Sequence, residues 1–168
     1  MVKIIVGVVV VIGGFIALAY VTQEGPSAHE LPAAVAIDPP AGAVVLDDGV
    51  SAGAVLRPVL MARTEEDAAA AKADYVGAWS PLRGWTGGVK QVEIRQASTW
   101  FSVEMFDSSI LGQQFYVTVE VPGGLPQIKP GVAVTVRGRI KDIIGSPDPV
   151  LVPGRVVLDQ GTVLAPLP

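Results

Sequence analysis

Hydrophobic positions follow three different rhythms along this chain. Residues 4–21 read IIVGVVVVIGGFIALAYV, apolar throughout except for the phenol of Tyr20. At about 1.5 Å per residue, a helix of this length spans about 27 Å, close to the hydrocarbon thickness of a bilayer. The run predicts a single membrane-anchoring helix within residues 1–21. Gly7, Gly13 and Gly14 would let neighbouring helices approach, and Tyr20 would sit at the interface. Ala17-Leu18-Ala19 also fits a signal-peptidase site, which leaves cleavage after Ala19 open. A buried core helix is disfavoured by the unbroken apolar length. Lys3 precedes the run, whereas Glu24 and Glu30 follow it. By the positive-inside rule the N-terminus is expected in the cytoplasm and the following domain outside, in a periplasm or its equivalent.

The second rhythm is almost none. Residues 22–62 are rich in Pro and Ala, with Pro26, Pro32, Pro39 and Pro40 in the first half. Proline at that density blocks helices and ladders, so this stretch predicts an extended linker. Within it, residues 43–46 and 54–56 have the pattern of a hairpin turning at Asp47-Asp48-Gly49. A helix is expected over 64–75, where Thr64 is the N-cap and Asp67 completes an approximate capping box. Glu65, Glu66 and Asp67 suit the positive end of the helix dipole and Lys72 the other end. The same acidic residues are conceivable as catalytic carboxylates or calcium ligands, but dipole compensation accounts for them with fewer assumptions.

After Gly84 the period changes to two. Val92 and Ile94, then Phe101, Val103 and Met105, then Phe115 to Val121, then Val132, Val134 and Val136 alternate with polar neighbours. That is the signature of strands with one buried and one wet face. Pro122-Gly123-Gly124, Pro130-Gly131 and Pro147 to Pro149 mark turns. Gly84 to Gly88, GWTGG, also reads as a turn, lacking the lysine and following helix of a phosphate loop. Shorter strands are expected at 150–152, 155–158 and 162–164. The fold class is therefore mainly β, a small barrel or sandwich of five or six strands over residues 63–168 behind one short helix.

Composition narrows the chemistry. The 168 residues contain no cysteine and one histidine, His29. Thiolate metal sites are excluded, and a histidine triad would rest on a single residue in the linker. The net charge of −4 is uneven. Residues 22–74 hold three basic and nine acidic groups, and residues 75–168 eight basic and seven acidic. Neither portion has the basic excess of a nucleic-acid binder. No nucleophile elbow, Walker loop, HExxH or dinucleotide fingerprint is present. No catalytic residues, metal ligands or cofactors are expected.

The Ala-rich helix ending in Asp74-Tyr75-Val76-Gly77, the following Leu82-Arg83-Gly84, and Pro130 to Ile140 (PGVAVTVRGRI) resemble bacterial membrane-anchored OB-fold-like domains of the tRNA-anticodon-like type. The resemblance covers about the last 100 residues. It implies a small closed barrel and, because its motifs are structural, little about function. The layout is also similar to that of the haem chaperone of cytochrome c maturation, which attaches haem through a histidine after the barrel. Residues 159–168 contain no histidine, so that chemistry is not implied here.

Candidate contact residues are the aromatics Trp85, Trp100, Phe106 and Tyr116 and the alternating cations Arg137, Arg139 and Lys141, with Arg155 a candidate neighbour. A solvated strand face is the plainer account of the cations; an outward aromatic patch points to a protein or membrane contact. The expected function is a non-enzymatic accessory subunit, its partners being the bilayer and other subunits of a membrane complex in the bacterial inner membrane. The alternative is a tethered module for a small ligand such as haem or an oligosaccharide, with Trp85, Trp100 or Phe106 lining a pocket.

Overall fold

A computed structural model describes residues 3–12, 15–24, 32–107, 114–145 and 153–166. The C-terminal part is a closed five-stranded barrel. Its strands are β3 (Trp85–Arg95), β4 (Ser98–Phe106), β5 (Gln114–Pro122), β6 (Ala133–Ile144) and β7 (Arg155–Pro166). They are ordered β3-β4-β5-β7-β6, and β6 returns to β3. β5 and β7 run parallel; every other neighbouring pair is antiparallel.

The alternation seen in the sequence closes this barrel. β4 turns Phe101, Val103 and Met105 inward, and β5 turns Phe115, Val117, Val119 and Val121 inward, all buried. Val134, Val136, Ile140, Ile143, Val156 and Leu158 complete the core from β6 and β7. The expected strands at 155–158 and 162–164 are one strand, β7, which continues through Gln160 at a positive φ of 50°. Residues 147–152 lie outside the described residues.

Of GWTGG only Gly84 belongs to a turn, its N–H donating to the Pro81 carbonyl at 2.9 Å at a φ of 72°; Trp85 to Gly88 begin β3. Gly87 passes so close to β4 that a side chain there would collide with the Glu104 carbonyl and with Val103. Glycine lets the strand coil tightly where the barrel closes onto β6. A bulge at Lys90 then changes the strand's phase, so that Val89 is fully buried while Val92 and Ile94 are only half-buried.

The hairpin expected across 43–56 is replaced by a helix, α1 (Ala52–Met61). Ser51 caps it, its Oγ accepting from the Ala54 N–H at 3.0 Å. Ala52, Val55, Leu56 and Val59 follow the i, i+3, i+4, i+7 spacing and are buried in the barrel core. Gly145 packs on Val59, and Gly154 on Leu56 and Leu60, so α1 covers the end where β6 finishes and β7 begins. Residues 44–46 pair instead with Trp79: its N–H donates to the Val44 carbonyl at 2.8 Å, and the Leu46 N–H donates to its carbonyl at 2.9 Å. The helix expected at 64–75 is α2 (Glu65–Ala73), with the Thr64 hydroxyl accepting from the Asp67 N–H at 3.1 Å.

Residues 32–38, expected as free linker, form a strap on the barrel. The Thr162 hydroxyl accepts from the Ile37 N–H at 2.8 Å and donates to the Ile37 carbonyl at 3.1 Å. Arg137, buried beneath, donates to the Ile37 carbonyl at 3.3 Å and pairs with Asp38. At Gly123 (φ +93°) the strap runs so close that a side chain would meet the Pro32 carbonyl.

The membrane-anchoring helix expected within residues 1–21 does not appear among the described residues. β1 (Lys3–Ile12) and β2 (Phe15–Glu24) form a separate two-stranded antiparallel ribbon. Ten of the eighteen residues 4–21 are Val or Ile, which favour strands. Among the described residues no helix is long and apolar enough to cross a membrane.

If α1 belongs to the barrel core, Leu56→Ala costs about 2–5 kcal/mol. The exposed neighbour change Arg57→Ala costs less than about 0.5 kcal/mol. Denaturant unfolding of the full chain in detergent, followed by circular dichroism, measures both. Equal effects would remove α1 from the core.

Candidate binding face

Strand parity places every second side chain of β3, β4, β5 and β7 on the outside of the barrel, and the register arranges them in rows. Glu93, Trp100 and Glu120 form the first row. Gln91, Ser102, Thr118 and Val157 form the second. Glu104, Tyr116 and Arg155 form the third. Two adjoining hollows of about 210 and 350 Å³ lie over these rows, and both are lined by Gln91, Ser102, Thr118 and Arg155. Together they make one shallow groove from Trp100 to Tyr116.

Most charges around the groove are paired within the surface. Arg95 bonds Glu93 at 2.7 Å and sits 5.0 Å from the centre of the Trp100 ring. Lys141 reaches Glu120 at 3.5 Å and lies 5.6 Å from the same ring. Arg139 grips Asp159 with two bonds, of 2.9 and 2.6 Å. Lys90 meets Glu104 at 2.8 Å. The hydrogen bond from Arg95 holds the Glu93 carboxyl below the ordinary glutamate range, and the bond to Glu104 with its charge raises Lys90. Asp159 likewise raises Arg139 by hydrogen bonding and charge. Arg155 differs: it is exposed and has no ion pair among the described residues.

The contact residues expected from the sequence are thus divided. Trp100, Tyr116, Arg139 and Lys141 come together on or beside this face. Trp85 does not: it is buried, and its indole N–H donates to the Val50 carbonyl at 2.9 Å. Phe106 is 68% exposed at the far end of β4 and shares a separate hollow of about 250 Å³ with Trp85, beside α1. The stripe Arg137-Arg139-Lys141 is broken. Arg137 shares the outward parity of Arg139 but is covered by the strap, and the other two cations are already partnered. Gly7 lies in β1 opposite Tyr20, whereas Gly13, Gly14 and His29 fall outside the described residues. Gln91, Ser102 and Thr118, which floor the groove, were not legible as a site, because only the register between strands brings them into one row.

Among the described residues no group of three or more His, Asp or Glu side chains is placed to hold a metal ion. Comparison with known proteins found no matching family model, no similar curated protein and no similar solved structure.

The Glu93–Arg95 pair makes the setting of Trp100 acid-sensitive. Because the folded carboxyl has a lowered pKa, its stabilisation is complete above the ordinary glutamate range and is lost as pH falls through the lowered value. Trp100 emission should therefore change as the pH falls below the ordinary glutamate range. The change should vanish in Trp100→Phe and be imitated at neutral pH by Glu93→Gln. An acid response identical in wild type and Trp100→Phe would contradict this coupling.

Proposed function

We propose that this chain is a non-enzymatic accessory subunit of a membrane complex, with Ile4–Val21 crossing the bilayer as one helix and the barrel held on the outer face. The observation that carries this reading is the strap. It bonds Ile37 and Asp38 to β6 and β7, and Pro32 and Ala34 to Gly124 beyond β5, so only residues 22–31 separate the apolar run from a point fixed on the barrel. Such an arrangement suits a domain kept close to the surface in which its N-terminus is embedded.

The surrounding solvent supports the helix. A two-stranded ribbon has two open edges whose N–H and C=O groups need partners, which water supplies and hydrocarbon does not. In lipid the same residues satisfy those groups within a helix, and Gly7, Gly13 and Gly14 become places for other helices to approach. The charge order around the run supports a cytoplasmic N-terminus and a periplasmic barrel. We assign the barrel to the OB type on its strand order and its parallel β5–β7 pair, in keeping with the PGVAVTVRGRI resemblance. Phe106, exposed at the α1 end, supplies an apolar contact for a neighbouring subunit.

In its native membrane the full chain should stay in the pellet after alkaline carbonate extraction and run in mild detergent as an assembly larger than itself. Replacing Gly7, Gly13 and Gly14 together by Leu should release it as a monomer while leaving it in the pellet. Recovery of the wild-type chain in the aqueous phase would defeat the anchor, and a lone monomer in mild detergent would defeat the subunit assignment.

A further inference from the structure

We propose that the groove over β3, β4, β5 and β7 binds an acidic oligosaccharide, with a carboxylate on Arg155 and sugar rings against Tyr116 and Trp100. The inference goes beyond the membrane assignment and does not depend on it. It begins with an imbalance of charge. Lys90, Arg95, Arg139 and Lys141 border the face, and each holds a carboxylate. Arg155, in the lining of both hollows, holds none among the described residues. A guanidinium offers a planar fork of donors that matches a carboxylate with two parallel bonds.

The rest of the groove suits a ligand of hydroxyls and ring faces. Gln91, Ser102 and Thr118 give neutral donors and acceptors along its floor, with Ser102 and Thr118 hydroxyls 3.4 Å apart. Trp100 and Tyr116 stand at its two ends. On β4, the row of Trp100 and the row of Tyr116 are separated by the distance from residue 100 to residue 104, about 13 Å at strand spacing. That length fits a short chain of rings better than a single one.

Other occupants fit less well. A peptide added as a strand would sit on a sheet edge, whereas this groove lies on the outer faces of strands already paired side by side, β3 with β4, β4 with β5 and β5 with β7. A nucleic acid carries a phosphate at every step, whereas this face offers one guanidinium not already paired with a carboxylate among the described residues. An apolar molecule such as haem needs an enclosed apolar pocket, and these hollows are shallow and lined mainly by polar side chains. Sparse carboxylates on a hydroxyl-rich backbone match what remains.

The test is calorimetric titration of the full chain in detergent with three probes: tetragalacturonic acid, its fully methyl-esterified form, and a single-stranded oligodeoxynucleotide. The free acid should bind saturably and about tenfold or more tighter than the ester, the difference expected from one charge-assisted contact. Arg155→Gln should abolish that preference, weakening the acid at least to the affinity of the ester. Arg155→Lys should retain part of it. Because residue 155 is exposed, both variants should melt like wild type. Absence of saturable binding to the acid, an unchanged preference in Arg155→Gln, or tighter binding of the oligonucleotide would each overturn the proposal.

Discussion

β7 makes two unlike ladders at once, parallel to β5 on one side and antiparallel to β6 on the other, and nearly everything else in the barrel depends on it. Without it β5 and β6 would both end in open edges, and the inward valines of β4 and β5 would lose the cover given by Val156 and Leu158. Closure removes the edges through which small β domains aggregate. It also fixes which side chains share a row on the outside, because the rows exist only once register is set on both flanks of each strand.

That dependence explains how much of the molecule was legible in one dimension. Parity along β4 and β5 revealed the core, including Phe101 and Phe115, because each strand has a uniform wet face and a uniform dry one. The Thr64 cap and its acidic first turn revealed α2. Parity failed at the bulge in β3, where the backbone changes phase, and it could not foresee Arg137, which keeps its outward parity but lies under the strap. GWTGG beyond Gly84 was misread for a related reason, since glycine serves a tight turn and a close strand crossing equally well. α1 was hidden by Gly53 and Pro58, poor helix formers whose cost is offset by packing of Val55, Leu56 and Val59 against the barrel.

The candidate face shows the same division. Trp100 and Tyr116 could be assigned to the outside from strand parity alone. The groove between them could not, because its neutral floor resembles the wet face of any strand until four strands are aligned. Arg155 is informative only by contrast with its neighbours. Four cations around the face are neutralised within the surface, which leaves its field weak and its one unspent guanidinium conspicuous.

The seat of α1 has a consequence for biosynthesis. Leu56 emerges from the ribosome long before Gly154, the residue it packs against, and α1 can complete its burial only when β7 arrives. Through most of translation the helix therefore carries an uncovered apolar stripe beside an unfinished sheet. Folding of this chain is gated by its last strand, and a nascent product stalled before that strand would present a natural substrate for chaperones and proteases.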